Sequence, residues 1–442
     1  MRAPPASPNA NGVRKSSRCA CRVRTVMEPP LRHKTDPSAT RLNALVFGVG
    51  CFFLILVASL VQMFGLFTST AGDDYRGYRA TAEVIHTQPF ARVYDGDALR
   101  EAQRSMVYDY SHPDLRAGYV TQGAPYLPVF LALLEPLALF APVPGFVVWT
   151  AINLAALAGY LWWFARRSGS LVEVSIIPAL IFSFPAVDTL RWGQVSVWLM
   201  IFFGEFFRHS VQGAGFRAGL WLGGLLLKPQ ILILMLPGLL ITRQWRCLAG
   251  FAASSLVLLL ASLAIGGVDS FMALSRIIFS LSGDPSAARP QYMMNWRALG
   301  IGLSDYVSPD LVWPLIVAAT IATAAAGLWL WRTPSIRTRK SLAIVLLGVY
   351  AATSCVSWHA HDHMALPIVV PLLYLSLDRI LPYKVLVVWL LAPYATVLLR
   401  FALGNIGDAG LLIAHLYIIW WSFAALNRMA SGETTGTTAA VL

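Results

Sequence analysis

Long apolar runs recur along this 442-residue sequence, and a chain that carries them needs a solvent other than water. Several of the runs approach the roughly 20 residues that cross a bilayer as a helix. Charged residues make up only 13% of the chain, about half of what a soluble domain carries. The sequence therefore predicts an all-α polytopic membrane protein, because a barrel would show short alternating strands instead. The six runs are 43–67, 145–164, 251–265, 311–331, 384–399 and 411–426.

The net charge is +12, and the distribution of the basic residues along the chain indicates a membrane topology. Nine basic residues lie in the first 42 positions, and most of the others lie in short loops between apolar runs. Because Lys and Arg collect on the cytoplasmic side of a membrane, this charge does not indicate a nucleic-acid partner. The sequence predicts a disordered cytoplasmic tail over 1–42, a transmembrane domain over 43–427 and a cytoplasmic C-terminal tail over 428–442.

The basic loops of the C-terminal half orient the later segments. With those loops inside, three segments face outward: 267–310, 354–363 and 402–409. Between 125 and 242 the apolar runs are short and broken by Pro and Gly. There are six such short runs, and six full crossings would conflict with this orientation. One run is therefore predicted to be re-entrant or a half-helix, unless the rule that basic residues lie on the cytoplasmic side fails at Arg166 and Arg167. About 12 crossings are predicted, within roughly 11 to 13, because 12 keeps both termini cytoplasmic.

The segment 72–124 is predicted to be an outer loop, and it holds eight of the chain's 22 acidic residues. Its stretches DYRGYRATAEVI and DALREAQRSMVYDY combine mixed charge with apolar residues at helical spacing. They are predicted to be amphipathic helices at the membrane surface, with a plain soluble loop as the alternative.

Two adjacent carboxylates, Asp73 and Asp74, stand where the first apolar run gives way to this loop. Asp is a good capping residue, and a carboxylate near a helix N-terminus is electrostatically favoured. The functional alternative is a general base, or an acidic pair that holds a metal ion at the membrane surface. A base held there would accept a proton from a hydroxyl while a lipid-borne substrate reaches it from the bilayer.

Three of the eight histidines, His359, His361 and His363, fall within five residues in the stretch SWHAHDHMALP. This stretch is predicted on the same outer face as Asp74. In an extended segment the three side chains point one way, whereas on a helix His359 and His363 share a face. With Asp362 beside them, they favour an active-site role over a tight metal site or an ordinary interfacial loop.

Lys228 is the only charge in the apolar stretch GLWLGGLLLKPQILILMLPGLL. A lone cation among apolar side chains is costly unless it faces a polar cavity or reaches the interface. One interpretation is that Lys228 snorkels at a helix end. The other is that it binds an anionic group such as a lipid phosphate, with Pro229 fixing a break in the helix.

Two further polar islands are DTLRWGQVSVW and RPQYMMNWRALG. Four of their side chains have the chemistry to bind sugar hydroxyls or phosphate. These are Arg191, Gln194, Asn295 and Arg297. Trp192 and Trp296 either stack on a sugar ring or anchor the chain at the interface, and anchoring is favoured for tryptophans taken alone.

The sequence contains no Walker loop and no dinucleotide fingerprint. An enzyme with this sequence is therefore not expected to take its energy from a nucleotide bound in a soluble domain. A substrate that is already activated and carried by a lipid fits better.

Six motifs follow one another along the chain: DYRGY (74–78), PYLPVFLALLEPLALF (125–140), WGQVSVW (192–198), GGLLLKPQ (223–230), NWRALG (295–300) and SWHAHDH (357–363). By their order and spacing, the chain resembles the polyprenyl-phosphate-mannose-dependent membrane mannosyltransferases, family 87 of the glycosyltransferases. The resemblance covers about residues 43–427. It implies the C-type (GT-C) multi-spanning glycosyltransferase fold.

The resemblance implies a multi-pass plasma membrane protein whose active site lies on the extracytoplasmic face. The donor would be a sugar, most often mannose, on a polyprenyl monophosphate, and the acceptor a glycolipid or glycan. The transfer would invert the anomeric configuration. Asp74 matches the family's catalytic acid, because Tyr75 and Tyr78 follow it at the family's spacing, and Asp73 is an extra neighbour.

In such a reaction, positive charge or hydrogen-bond donors must stabilise the phosphate that leaves. The candidates for binding the donor phosphate are Lys228, Arg191, Arg297, His359, His361 and His363. The candidates for binding sugar or acceptor are Gln194, Asn295, Trp296, Trp358 and Tyr78. The chemistry requires no cofactor or metal, although Asp73 and Asp74 have the ligand chemistry to hold a divalent cation. The sequence gives no indication of the oligomeric state.

Two alternatives stay open. One is a different lipid-linked sugar reaction, such as a polymer ligase or a transferase of arabinose or glucose. A ligase is expected to centre on a large outer loop late in the chain, whereas the acid-rich loop comes first here. The other is a lipid or sugar transporter with no chemistry, for which polar residues at mid-membrane and an internal repeat are expected.

Overall fold

The computed structural model describes residues 72–105, 125–167, 176–283, 292–333, 338–403 and 406–431. The tail over 1–42, the apolar run over 43–67, the far part of the outer loop over 106–124 and the last residues, 432–442, lie outside the described residues. Every named element of the described ranges is an α-helix or a 3-10 helix. The all-α prediction is therefore confirmed for this part of the chain.

Sixteen described α-helices are numbered in chain order. Proline stands in the first turn of several of them, where its missing N–H costs no hydrogen bond. The helices are α1 Asp73–Thr87, α2 Gly96–Ser105, α3 Pro128–Ala132, α4 Pro142–Arg167, α5 Ile176–Ile181, α6 Phe184–Trp192, α7 Ser196–Val211, α8 Gly215–Leu222, α9 Met235–Ile241, α10 Trp245–Gly283, α11 Trp296–Leu303, α12 Pro309–Leu330, α13 Arg339–Val356, α14 Val369–Leu377, α15 Tyr383–Leu403 and α16 Ala409–Ala430. Short 3-10 helices lie at Phe90–Tyr94, Glu135–Leu139, Gly223–Leu227, Pro229–Leu232 and Asp362–Ile368.

Five of the described helices are long and apolar enough to cross a membrane. These spans are what a polytopic membrane protein requires. The count of about 12 crossings stays a prediction. The five spans are Pro142–Arg167, Trp245–Phe279, Pro309–Leu330, Arg339–Val356 and Ala409–Ala430.

Helix α13 is a candidate span that does not coincide with any of the six apolar runs. It is buried along most of its length and packs against α12 and α16. Its polar side chains are bonded within the protein. The hydroxyl of Thr353 donates to the carbonyl of Val349 at 2.8 Å, and that of Tyr350 donates to the carbonyl of Met364 at 2.7 Å. Such bonds allow polar residues inside a span, and the same residues hide the span from a search for apolar runs.

The chain between residues 125 and 242 is built mostly from short helices, as its broken apolar pattern predicts. Among the helices described there, 168–175 excepted, only α4 reaches the length of a span, since α7 has 16 residues and the other α-helices have 9 or fewer. Helices α8 and α9 are separated by two 3-10 helices that meet at Lys228. The backbone of Lys228 is not helical, with φ −140° and ψ 83°, and Pro229 starts the next turn. The predicted break at Pro229 is confirmed.

Helix α10 changes direction at Gly267, whose φ is 67° and ψ is 179°. Glycine adopts this backbone conformation at no steric cost, whereas a residue with a Cβ rarely does. The break falls at the start of the segment 267–310, which the charge pattern places outside. Beyond the break the chain remains helical to Gly283, so the first part of that segment is not a loop.

The residues after the first apolar run form two helices, α1 and α2, as their amphipathic patterns predict. Helix α1 buries Tyr75, Tyr78 and Val84. It packs against α2 and against the 3-10 helix Glu135–Leu139. Its apolar side is therefore covered by protein, and this packing fixes the rotation of α1 about its axis.

The start of α1 is held tightly against α6. The backbone N–H of Gly72 donates to the carbonyl of Arg191 at 2.7 Å. Tyr75 is fully buried, and a Cβ added to Gly193 would lie 2.6 Å from the Cβ of Tyr75. Gly193 also has φ 72°, a conformation that residues with a Cβ rarely adopt. Glycine at position 193 therefore sets how closely α1 approaches α6.

Gly193→Ala is expected to destabilise the protein by about 2–4 kcal/mol, because a strained backbone and a clash with Tyr75 add together. Gly213→Ala is the matched control. Gly213 has φ 75°, but its added Cβ would meet open space, so only the backbone cost of about 1–2 kcal/mol applies. Thermal unfolding of the detergent-purified variants, followed by circular dichroism, measures the difference. Equal unfolding temperatures would contradict the role given to the Tyr75 contact.

Candidate active site

Helix α1 begins with the two acidic residues Asp73 and Asp74. The side chain of Asp73 lies outside the described residues, so its contribution stays a prediction. The side chain of Asp74 is half-buried, and its charge acts on Tyr78, Tyr126 and Lys228. The fold thus brings the predicted base close to a lysine that lies far away in the sequence.

A chain of hydrogen bonds runs from α1 into the molecule. The hydroxyls of Tyr78 and Tyr126 are 3.0 Å apart, and the Tyr78 hydroxyl donates to Oε1 of Gln194 at 2.9 Å. The same oxygen accepts from Nζ of Lys228 at 3.0 Å. Burial raises the pKa of Tyr78 well above its ordinary value, and the charges of Tyr126 and Asp74 raise it further. Tyr78 is therefore a neutral hydroxyl next to a cation.

Lys228 lies at the centre of this series of hydrogen bonds. Only 7% of the residue is exposed, so its ammonium does not snorkel to an interface. Its Nζ contacts Oε1 of Gln194 and lies 2.9 Å from Nε2 of His363. An ammonium has three N–H donors, and no third acceptor is present for it within the described ranges. A buried ammonium that has one N–H without an acceptor is suited to bind an anion.

His363 connects Lys228 to an acidic residue on α6. Its Nδ1 lies 3.7 Å from Oδ2 of Asp188, while Oδ1 of Asp188 accepts from Nε1 of Trp192 at 2.7 Å. The ring of His361 stacks on that of His363, with centroids 5.5 Å apart and planes 6° from parallel. Burial, followed by the neighbouring His363 ring and the charge of Lys228, lowers the pKa of His361 well below its ordinary value. His361 is therefore a neutral imidazole.

A second cluster lies at the start of α11. Asn295 caps this helix by accepting from the N–H of Ala298 at 2.9 Å. Its Nδ2 donates to the carbonyl oxygens of Ser357 at 2.7 Å and Trp358 at 3.2 Å. The buried Arg297 places its guanidinium 4.4 Å from the ring centroid of Trp358. Trp358 is 50% exposed, so an aromatic surface remains accessible beside a buried cation.

Backbone contacts join the two clusters. Met293 and His361 form an antiparallel bridge, and the N–H of Asp408 donates to the carbonyl of Met293 at 2.9 Å. Burial lowers the pKa of His359, and the charge of Arg297 lowers it further. Residues from three segments that the charge pattern places outside therefore contact one another.

Two further predicted site residues, Arg191 and Trp296, contact aromatic or polar neighbours close to them in the fold. The guanidinium of Arg191 lies 5.1 Å from the ring centroid of Trp192, whose ring packs edge-on against Tyr292. Nε1 of Trp296 donates to the hydroxyl of Thr323 on α12 at 2.9 Å. The indole of Trp296 is thus tied to a candidate span, a placement that suits an anchoring role.

Sequence reasoning missed two residues of the site: Tyr126, which is hydrogen-bonded to Tyr78, and Asp188, which lies beside His363. Asp188 carries a usable signal, because it is an acidic residue directly after an apolar run and stands four residues before Trp192, on the same helical face. Tyr126 carries no signal of this kind. Its hydroxyl reaches Tyr78 only because the segment before α3 passes beside α1.

The arrangement combines a carboxylate, a buried ammonium and several neutral hydrogen-bond donors. No three His, Cys, Asp or Glu side chains converge as metal ligands in the ranges that the structure describes. Acid–base chemistry at Asp74 and anion binding at Lys228 are the functions that these side chains can perform directly.

The model of glycosyltransferase family 87 matches residues 125–357, just over half of the chain. The chain belongs to this family. The match includes Asp188, Gln194, Lys228 and Arg297, whereas Asp74 lies before it and His363 after it. The family resemblance seen in the motifs is thereby confirmed, and the protein is a membrane glycosyltransferase. No curated protein and no solved structure matches the chain.

Gln194→Leu is expected to lower the free energy of unfolding by about 2–3 kcal/mol, since it removes an acceptor from a buried charge. Lys228→Met combined with Gln194→Leu is expected to recover part of this loss, because no buried cation is then left short of an acceptor. Denaturant unfolding of the two single variants and the double variant measures the coupling. Strictly additive losses would contradict a bond between the two side chains.

Proposed function

We propose that this protein is an inverting glycosyltransferase that moves a sugar from a polyprenyl monophosphate donor to a glycolipid or glycan acceptor. Mannose is the first sugar to test. The reaction takes place on the extracytoplasmic face of the plasma membrane, in a GT-C fold with about 12 crossings. Family membership, the candidate membrane spans and the chemistry of the cluster support this proposal.

One observation carries the proposal most directly. The ammonium of Lys228 is buried against two neutral acceptors, and the charge of Asp74 acts on it. A buried cation is best stabilised by a full negative charge. A phosphate group in contact with the third N–H of Lys228 supplies that charge, and Asp74 then lies close to the reacting end of the donor.

The reaction is a single in-line displacement. Asp74 accepts the proton of the acceptor hydroxyl while the acceptor oxygen forms a bond to the anomeric carbon. The bond between that carbon and the phosphate oxygen breaks, and its electron pair leaves with the phosphate. The products are the inverted glycoside and polyprenyl monophosphate, which carries one more negative charge than the donor diester. Lys228 stabilises this additional charge.

Other predicted residues have supporting roles in the proposal. His359, His361, His363, Arg191 and Arg297 line the phosphate side of the reaction as donors or as partners of Lys228. Tyr78, Gln194, Asn295 and Trp296 orient sugar or acceptor hydroxyls or hold the residues that do so. The exposed ring of Trp358 stacks on a sugar of the acceptor, since aromatic faces and sugar rings bury apolar area together.

A lipid-borne donor fits the chain better than a nucleotide sugar. The sequence lacks a nucleotide-binding fingerprint, and a chain with five candidate membrane spans has direct access to a donor that is carried in the bilayer. A polymer ligase or a transferase of arabinose or glucose would use the same base and the same phosphate site. Family membership favours any of these enzymes over a transporter.

Asp74→Asn is expected to reduce sugar transfer by about 10²–10⁴-fold, because the acceptor hydroxyl loses its base. Asp73→Asn is the matched control and is expected to retain most of the activity. Membranes that contain the variant are given a polyprenyl monophosphate donor with labelled mannose, and acceptor-dependent release of polyprenyl monophosphate is measured. Activity that survives in Asp74→Asn and is lost in Asp73→Asn would assign the base to Asp73.

Transfer is expected to continue in excess EDTA, because the proposal assigns stabilisation of the leaving phosphate to Lys228. Lys228→Met is expected to slow transfer by about 10²–10³-fold. The same release assay, with and without chelator, measures both effects. A loss of activity in EDTA that Mn²⁺ or Mg²⁺ restores would instead assign that charge to a divalent cation, held by Asp73 and Asp74.

A further inference from the structure

Asp188 is a buried carboxylate with an unusual pair of neighbours. One of its oxygens accepts from the indole N–H of Trp192, and the other faces Nδ1 of His363 at 3.7 Å. The opposite nitrogen of that ring, Nε2, contacts the ammonium of Lys228. Asp188, His363 and Lys228 therefore form a line in which the imidazole separates a negative group from a positive one.

The contacts determine where the proton of His363 lies. The ammonium of Lys228 has only donors, so the nitrogen that faces it at 2.9 Å must accept. The neutral ring then carries its proton on Nδ1, directed at the carboxylate of Asp188. The negative charge of Asp188 favours this tautomer, and the tautomer in turn holds an acceptor lone pair on Lys228.

We propose that Asp188 is a positioning residue that selects the Nδ1–H tautomer of His363 and thereby holds the Lys228 ammonium in place for the donor phosphate. This inference rests on the proposed function. Asp188 touches neither sugar nor phosphate in this arrangement. It acts through His363, and it adds a negative charge that helps keep Lys228 protonated.

Charged and titratable groups approach Lys228 from several elements. Asp74 approaches from α1, and Asp188 approaches from α6 through His363. His361 is stacked on His363, and both histidines are neutral beside the ammonium. Gln194, before α7, is the remaining direct contact and has no charge. The charge of Asp74 raises the pKa of Lys228 against the effect of burial. We infer that Asp188 adds to this effect through His363.

Asp188→Asn tests the positioning role with little change of shape. The amide oxygen can still accept from Trp192, while its NH₂ group faces His363. A donor at that position favours the opposite tautomer, in which Nε2–H points at Lys228 and the two donors repel. We expect the affinity for farnesyl monophosphate, a short soluble probe, to fall about tenfold at neutral pH.

The pH profile of probe binding distinguishes a positioning role from a purely structural one, because a purely structural role would leave the profile unchanged. Binding is measured from about pH 6 to pH 10, a range that brackets the pKa of Lys228, which burial lowers to about 8. Loss of the Asp188 charge disfavours the ammonium, so the midpoint of the alkaline loss is expected about one pH unit lower than in the unaltered protein. Asp188→Glu keeps the charge and is expected to restore most of the shift.

Two further variants make the test specific. In a chain that already carries His363→Gln, adding Asp188→Asn is expected to cause little further loss of affinity, because its effect passes through the ring. Asp408→Asn removes another buried carboxylate, which caps α16, and is expected to leave the alkaline midpoint unchanged. Additive losses in the double variant, or an unchanged midpoint in Asp188→Asn, would overturn the positioning role.

The outcomes separate this inference from the proposed function. If the unaltered protein binds no farnesyl monophosphate at any pH, the phosphate site itself is wrong. If it binds the probe and Asp188→Asn binds it equally well with the same midpoint, only the positioning role is wrong. Thermal unfolding of each variant in the same detergent confirms that every chain compared is folded.

Discussion

An ammonium group enclosed in an apolar molecule must find partners, and the buried charge of Lys228 imposes this requirement on the whole site. Its two neutral acceptors, Gln194 and His363, come from distant parts of the chain. Tyr78 donates a hydrogen bond to Gln194, and the carboxylate of Asp188 faces the ring of His363 at 3.7 Å. Meeting the needs of a single cation therefore links α1, α6, the segment before α7 and the 3-10 helix Asp362–Ile368.

The backbone makes this convergence feasible. The backbone leaves the helical conformation at Lys228, between two 3-10 helices, and Pro229 begins the second of them. A lysine at this break can direct its side chain into the protein rather than along a helix surface. Gly193 has a complementary effect at α6, because the absence of a Cβ allows Tyr75 and the start of α1 to come close. Both interruptions would count as defects in an isolated helix, yet they bring the functional groups together.

The negative charges around Lys228 are separated from its ammonium by neutral side chains. Carboxylates stand near Lys228, at Asp74 and beyond His363 at Asp188, while the residues in direct contact with it are neutral. In the proposed reaction, neutral contacts leave the positive charge of the ammonium available to the donor phosphate. A carboxylate in direct contact would have neutralised it. The separation of the charges is thus as important for anion binding as their presence.

The sequence by itself determined that the chain is helical and membrane-embedded, because the length of the apolar runs and the low share of charged residues can be read directly from it. It also singled out Asp74, Lys228 and the three histidines, since each is a polar residue in an unusual local setting, and it indicated the break at Pro229. The search for long apolar runs did not mark span α13, whose Ser, Thr and Tyr are bonded internally, although the charge pattern placed its two ends on opposite sides of the membrane. The sequence also could not distinguish a snorkelling lysine from a buried one. Only the tertiary structure decided that Lys228 is enclosed, that Asp188 and Tyr126 belong to its network and that Trp296 is tied to Thr323. The physical reason is that helix propensity and hydrophobicity act over neighbouring residues, whereas the partners of a buried charge are chosen by packing between elements that are far apart in the chain.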